Sequence, residues 1–133
     1  MRVVFIIICL VWSLNAYTQK AFEFEYYYGK TKDFEIKLSL ANGYILGSEI
    51  IKTYLKTNKK VKYIVSAAPA GKSQSITFFP DPSDKATVIR KREFITLYHI
   101  SDEYDVLPDK INAVCGIDLK TNRLKLYKAK AKD

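Results

Sequence analysis

The sequence predicts a mainly β protein, an antiparallel sandwich or barrel of about seven or eight strands with one or two short helices. Apolar and polar residues alternate along much of the chain, as they do in residues 34–40, and this period of two is typical of half-buried strands. Short clusters of proline, glycine, asparagine and serine separate the alternating stretches. Tyrosine and phenylalanine, which favour strands, occur 10 and 7 times.

Residues 1–18 have the pattern of a secretory signal peptide: Arg2, an apolar run, and then small and polar residues. The apolar run is about half as long as the ~20 residues that a membrane-spanning helix needs. Ala16 and Thr18 each precede a plausible cleavage point. Cleavage would remove one base and no acid, so the net charge of +8 would fall by one. We predict a periplasmic or secreted protein with a single β-rich domain, residues 19–133, and no membrane span after cleavage.

The stretch FEFEYYYG, residues 22–29, predicts the first strand. Successive side chains of a strand point to opposite faces of the sheet. We expect the even positions to join the core, which leaves Tyr27 as the one tyrosine of the three that faces solvent beside Glu23 and Glu25. Tyr27 is therefore a candidate for recognition of a partner.

The next elements are a second strand and a segment with two interpretations. The second strand, residues 34–40, is followed by Asn42-Gly43, a strong signal for a tight hairpin turn. Residues 48–57 fit either a short helix capped by Ser48 or a strand. The β-branched and aromatic residues of this segment favour the strand.

Two similar stretches predict β-hairpins. LKTNKKVKY, residues 55–63, resembles LKTNRLKLY, residues 119–127. In the second stretch a turn at Thr121-Asn122 would place Leu119 opposite Leu124 and would align further apolar residues on one face. Two copies are too few to indicate a repeat architecture.

Loops and shorter elements are expected in the rest of the chain. Residues 75–79 read as a short strand between two loops rich in proline and glycine. Residues 86–100 predict one long strand with a bulge or two strands. Residues 101–116 break the β pattern, and Ile111, Val114 and Cys115 lie at helical spacing before a glycine.

Residue types that support catalysis are scarce. Cys115 is the one cysteine outside the signal region and His99 the one histidine. No nucleophile signature surrounds either residue, and an apolar neighbourhood is typical of a buried structural cysteine. The acids around Asp81 and Asp84 lack the spacing of a calcium loop. We predict no enzyme activity, no cofactor, no metal site and no internal disulfide.

The basic excess is the remaining functional signal. Lysines cluster between Lys52 and Lys62, a second cluster lies at residues 90–92, and a third lies between Lys120 and Lys132. Clustered cations attract polyanions, although lysine also solvates exposed strands. The candidate residues for binding an anion or a partner are Lys59, Lys60, Lys62, Arg90, Lys91, Arg92 and Tyr27.

We therefore expect an exported, non-enzymatic small binding protein. Its partner would be a protein or a small ligand, as for an inhibitor, an immunity-type protein or a lipocalin-like carrier. The alternative is a basic surface that binds an anionic glycan or lipid, and a cysteine-dependent enzyme is a minor alternative. Export makes nucleic acid an unexpected partner.

Overall fold

The computed structural model describes residues 23–42, 45–65, 75–84, 93–100 and 107–130. These residues form a closed, antiparallel barrel of eight strands, each paired with the next along the chain, and β1 also pairs with β8. The strands are β1 (Phe24–Lys30), β2 (Phe34–Ala41), β3 (Glu49–Tyr54), β4 (Lys59–Val65), β5 (Ser75–Pro80), β6 (Glu93–Tyr98), β7 (Lys110–Ile117) and β8 (Lys120–Lys128). The predicted mainly β fold is confirmed, and of the two architectures the barrel is the observed one.

The up-and-down order gives the barrel two distinct ends. The described connections at residues 31–33, 55–58 and 118–119 lie at one end, called here the turn end. The two termini of the described barrel lie at the other end. In the described part, the helical structure is a single 3-10 turn, Ile45–Gly47, instead of the one or two short helices expected.

Because side chains alternate between the two faces of each strand, every second side chain points inward, and these side chains fill the interior of the barrel. Side chains from all eight strands form one contiguous buried cluster, which includes several large rings. An eight-stranded barrel has an interior just wide enough for its own side chains to fill. The largest fully buried side chains are Tyr27, Tyr63, Phe78, Ile36, Leu38, Leu40, Ile50, Ile76, Ile95, Leu97, Ile100 and Ile111.

The two faces of β1 are the reverse of the sequence prediction. Tyr27 is 1% exposed, whereas Phe24, Tyr26 and Tyr28 are 44%, 57% and 38% exposed. The cause is the pairing with β2, in which Tyr27 lies opposite Leu38. Residues directly opposite each other lie on the same face. The apolar face of β2 must be buried, and it therefore takes Tyr27 inward and turns the even residues of β1 outward.

Gly29 allows β1 to approach β8 closely where the barrel closes. A Cβ atom at Gly29 would lie 2.5 Å from Leu126 Cδ2 and 2.9 Å from the carbonyl oxygen of Lys125. Both distances are too short for carbon, so a side chain here would push the two strands apart. The sequence stretch that ends in Gly29 thus closes the barrel as well as starting it.

The connection between β2 and β3 is longer than the predicted tight hairpin. Asn42 begins a turn, but β3 starts only at Glu49, after the 3-10 turn. Ser48 does not cap a helix; its hydroxyl accepts a hydrogen bond from the backbone N–H of Ala41 at 2.9 Å. Residues 49–54 form a strand, which confirms the favoured interpretation of this segment.

The predicted helix around Ile111 is wrong, because residues 110–117 form β7. The inward positions of this strand are Ile111, Ala113 and Cys115, which alternate as in any strand. The apparent helical spacing came from including Val114, which lies on the outward side and is half buried.

The error at β7 also displaced the predicted hairpin that follows it. The turn between β7 and β8 lies at Asp118-Leu119, and Ile117 pairs with Lys120. Asp118 adopts a φ of 52°, which aspartate tolerates better than most residues. The predicted turn at Thr121-Asn122 is therefore three residues too late. Because the residues before Gly116 were predicted to be helical, no strand was expected there to pair with β8, and the predicted turn was placed later in the chain.

Two further predictions are confirmed. The first LKTN stretch forms the β3–β4 hairpin, with a turn at residues 55–58 and a φ of 53° at Asn58. Residues 75–80 form β5. The predicted signal peptide and the segment 101–106 lie outside the described residues.

Candidate functional site

A polar cluster lies inside the barrel near its turn end. It consists of Lys52, Tyr54, Tyr63 and Glu93, contributed by β3, β4 and β6. Lys52 Nζ and Glu93 Oε1 are 2.6 Å apart, and the side chains are 3% and 0% exposed. The Tyr54 hydroxyl donates a second hydrogen bond of 2.6 Å to the same carboxylate oxygen.

Aromatic rings also surround the Lys52 ammonium group. Its Nζ atom lies 4.4 Å from the centre of the Phe34 ring and 4.9 Å from that of the Tyr54 ring. Such contacts stabilise a desolvated cation. The prediction that Lys52 belongs to a lysine cluster on the surface is therefore wrong. Alternation along β3 places it on the inner face, where Glu93 neutralises it.

The ion pair keeps both of its partners charged. Burial by itself raises the pKa of the Glu93 carboxyl, but hydrogen bonds from Lys52 and Tyr54 outweigh burial and hold the pKa below its usual value. Burial likewise lowers the pKa of Lys52, but the contacts with Glu93 outweigh it, so the net direction is upward.

The Tyr63 hydroxyl belongs to the same cluster. It is buried without a partner of standard hydrogen-bond geometry. Burial raises its pKa strongly, and the nearby Glu93 carboxylate adds to that rise. The hydroxyl therefore stays protonated and faces the charge of the carboxylate.

Cys115 and His99 do not form a catalytic pair. Cys115 lies on the inner face of β7, where burial raises the pKa of its thiol to about 11. Cys115 pairs with Ile95, and His99 follows the end of the same strand β6 four residues further on, roughly 13 Å along the strand. The thiol is thus protonated and enclosed inside the barrel, whereas His99 lies just beyond the end of β6.

The predicted cluster of Lys59, Lys60 and Lys62 divides between two faces of β4. Lys60 and Lys62 point outward, and Lys59 shares the inward parity of Val61 at the rim of the barrel. Lys62 Nζ is 2.8 Å from Glu49 Oε2. The lining of the depression around Lys60 and Lys62 includes Lys37 and also the carboxylates of Glu35 and Asp84. This surface is therefore mixed in charge.

The other predicted binding residues do not form an exposed site in the described part of the chain. Tyr27 is buried, and its hydroxyl donates a hydrogen bond of 2.8 Å to the carbonyl oxygen of Pro108. The prediction that Tyr27 is exposed for recognition is wrong, for the pairing reason given above. Arg90, Lys91 and Arg92 lie outside the described residues.

A half-open groove lies on the outer surface of β6, β7, β8 and the end of β1. Its lining includes cations that the sequence prediction did not place together. Its volume is about 820 Å³, within the range of small-molecule sites. No carboxylate is among the described residues that line it. We call it the β8 groove. Its lining includes the polar and aromatic side chains of Lys30, Tyr98, Asn112, Arg123, Lys125 and Tyr127.

Strand register explains the concave shape of the β8 groove. Tyr98 pairs with Asn112, and Asn112 pairs with Lys125, so the three side chains stand in a row across β6, β7 and β8. In the next outward row Val114 pairs with Arg123. Short side chains on β7 thus form the floor between the longer side chains of its two neighbours.

Tyr127 forms one end of the β8 groove and is 55% exposed. Lys110 pairs with Tyr127, and its Nζ atom lies 5.8 Å from the centre of the tyrosine ring. This contact orients the ring and brings another cation to the edge of the groove.

One sequence signal could have found part of the groove. In RLKLY, residues 123–127, the apolar Leu124 and Leu126 alternate with Arg123, Lys125 and Tyr127. The third predicted lysine cluster covered this stretch but did not separate its two faces. The contributions of Lys30 and Tyr98 depend on which strands become neighbours, and local sequence does not contain that information.

No protein-family model, curated protein or solved structure matches the chain. The described residues include no group of three or more histidine, cysteine, aspartate or glutamate side chains placed to hold a metal ion. Within the same residues, no helix has the length and apolar character needed to cross a membrane.

Proposed function

We propose that this chain is an exported, non-enzymatic binding protein that binds an anionic ligand in the β8 groove on the outside of its barrel. The observation that carries the proposal is the composition of the groove lining. It combines three cations, Lys30, Arg123 and Lys125, with no carboxylate among its described residues. The class of ligand includes acidic glycans, anionic head groups and the acidic surface of a target protein, such as one bound by an inhibitor.

The contrast with the depression beside β4 supports the choice of this groove. The lining there mixes three lysines with the carboxylates of Glu35 and Asp84, and Lys62 is paired with Glu49. Opposite charges cancel much of the local field, whereas an unbalanced group of cations in a concave site concentrates it. An anion therefore gains more at the β8 groove than at the other lysine surface.

The interior supports an external ligand as well. The inward side chains of the described strands form one packed cluster, and the two internal charges of Lys52 and Glu93 neutralise each other. A ligand inside the barrel would have to displace packed rings or break a buried ion pair, which costs about 3–5 kcal/mol when one partner is lost. The outer groove requires neither change.

Chromatography on immobilised heparin tests the proposal with two matched double variants of residues 19–133. Arg123→Gln/Lys125→Gln removes two charges from the β8 groove, and Lys60→Gln/Lys62→Gln removes two charges from the mixed surface. We expect the groove variant to elute at clearly lower salt than the control variant, although both have the same net charge. Equal elution of the two variants would show that the groove is not the binding site.

Export has its own test. The full chain, expressed with its first 18 residues in a bacterial host, should be recovered outside the cytoplasm. Amino-terminal sequencing should then show a start after Ala16 or Thr18. Recovery of the uncleaved chain in the cytoplasm would contradict the export part of the proposal.

A second candidate is an apolar ligand inside the barrel. The closed up-and-down topology of eight strands favours it, because lipocalins use the same topology to hold small ligands. A fluorescent fatty-acid analogue distinguishes the two candidates. Saturable binding that survives Arg123→Gln/Lys125→Gln and is not displaced by heparin would favour the interior.

A further inference from the structure

We propose that the ligand of the β8 groove is an acidic oligosaccharide, held by stacking of its sugar rings on Tyr98 and Tyr127 while Arg123 and Lys125 bind its carboxylate or sulfate groups. This inference rests on the proposed function and narrows its ligand class. It is carried by the combination of two exposed rings, three cations and one amide in one groove.

The two tyrosines suit a ligand of more than one ring, whose apolar C–H faces can pack on them. Tyr98 is 42% exposed and Tyr127 is 55% exposed, so each ring offers a face to solvent. They stand two strands apart and two residues apart along β8, which corresponds to roughly 12 Å between their backbones. Tyrosine supplies a large, rigid contact surface at a small cost in conformational entropy.

Two of the cations lie on the outer face of β8, in line with Tyr127. Lys125 is in the same cross-strand row as Tyr98, and it is two residues from Tyr127 on the same face of β8. Arg123 precedes Lys125 on that face. A planar guanidinium group binds a carboxylate or sulfate through two parallel hydrogen bonds, which an ammonium group does not reproduce.

The floor of the groove favours a sugar over a lipid chain. Asn112 presents an amide that both donates and accepts hydrogen bonds, as sugar hydroxyl groups require. Among the described lining residues, Val114 is the aliphatic side chain that the strand register turns outward, since Ala113 and Leu124 have the inward parity. A fatty acyl chain would leave the Asn112 amide without a hydrogen-bond partner.

Isothermal titration calorimetry of residues 19–133 with three probes tests the inference. The probes are an oligouronate, a polyphosphate matched to it in number of charges, and vesicles of phosphatidylglycerol. We expect the oligouronate to bind at least about 10-fold more tightly than polyphosphate, because phosphate groups offer no ring for the tyrosines. A sulfated oligosaccharide of the same length is expected to bind in the same groove.

Two variants separate stacking from charge. Tyr98→Ala/Tyr127→Ala should weaken oligouronate binding by about 10-fold or more and leave polyphosphate binding within about 2-fold. The matched control is Tyr26→Ala, which removes an exposed tyrosine outside the groove and should change neither affinity. Arg123→Lys keeps the charge and should still weaken oligouronate binding several-fold. Far-UV circular dichroism checks that each variant folds.

The outcomes distinguish this inference from the proposed function. Equal affinity for oligouronate and polyphosphate, unchanged in the double tyrosine variant, would overturn the sugar assignment and leave an anion-binding groove. Tighter binding to vesicles than to oligouronate would also overturn it. Absence of binding to every one of these anions would overturn the proposed function together with the inference.

Discussion

Removing one partner of the internal ion pair should destabilise the barrel strongly. Glu93→Gln preserves the shape of the side chain but leaves the Lys52 ammonium group without its counter-charge at a position that is 3% exposed. Loss of one partner of a buried pair costs about 3–5 kcal/mol. Because 1 kcal/mol shifts the Tm of a domain of this size by roughly 4 °C, the expected decrease is about 12–20 °C.

A double-mutant cycle makes this prediction quantitative. Lys52→Met alone should also be costly, because it leaves the buried carboxylate of Glu93 without its cation. The double variant Lys52→Met/Glu93→Gln removes both charges, so its cost should be smaller than the sum of the two single costs by at least about 2 kcal/mol. Urea unfolding followed by circular dichroism at pH 7 measures all four free energies of unfolding.

The pH dependence of stability should change sign between the parent and one variant. In the parent, the pKa of Glu93 lies below 4.5, so its stabilising contribution is present above that pH and is lost as the pH falls through the lowered pKa. The pKa of Lys52 lies above 10.5, so its contribution is present below that pH and is lost as the pH rises through the raised pKa. In Lys52→Met burial dominates at Glu93, and stability should increase as the pH falls from 7 toward 5.

The control for these experiments is the exposed pair of Lys62 and Glu49. The distance between its charged atoms is 2.8 Å, but the side chains are 41% and 39% exposed. Lys62→Met should therefore cost less than about 1 kcal/mol. If Glu93→Gln cost no more than Lys62→Met, or if the two single costs in the cycle were simply additive, burial would not strengthen the internal ion pair.

Three further predictions concern packing. Gly116→Ala should destabilise the barrel by about 1–3 kcal/mol, because its Cβ would lie 2.3 Å from the Phe94 ring, and Phe94→Leu should restore part of the loss in urea unfolding. Tyr27→Phe should cost about 1 kcal/mol through loss of the hydrogen bond to Pro108, and Tyr27→Ala about 3–5 kcal/mol; a fully stable Tyr27→Ala would contradict its burial. Cys115, with a thiol pKa of about 11, should react with a thiol reagent at pH 8 only as fast as the barrel opens, so rapid labelling of the folded protein would contradict its enclosure.

The sequence predicted the strands whose side chains alternate without interruption. In β2 the inward residues Ile36, Leu38 and Leu40 follow each other at a spacing of two, and the polar residues between them face outward. The local sequence of such a strand determines which face is buried, because burial of its apolar side chains is the dominant favourable contribution to folding. For β3 the β-branched and aromatic residues favour a strand, and for β5 the flanking loops delimit one.

Prediction failed where a neighbouring strand decides the outcome. β1 has aromatic residues on both of its faces, so local alternation allows either orientation, and the pairing of Tyr27 with Leu38 selects one of them. In β7 the inward residues include Ala113 and Cys115, which are small and give a weak apolar pattern. Both strands are specified by contacts across the barrel rather than by their own composition.

The candidate site was missed for a related physical reason. Proximity along the chain groups Lys52 with Lys60 and Lys62. Alternation puts Lys52 inside the barrel and the other two outside, beside carboxylates. Proximity in sequence is thus a poor guide to local charge in a strand, because adjacent residues face opposite sides.

β8 connects the core and the proposed site in one strand. Its even residue Leu126 is fully buried in the barrel, and its odd residues Arg123, Lys125 and Tyr127 line the outer groove. Because the two sets face opposite ways, substitutions of the outer set leave the packing of Leu126 unchanged. The affinity of the groove for an anion and the free energy of unfolding should therefore vary independently among β8 variants. That independence is expected of a barrel whose core supplies stability and whose outer surface binds the ligand.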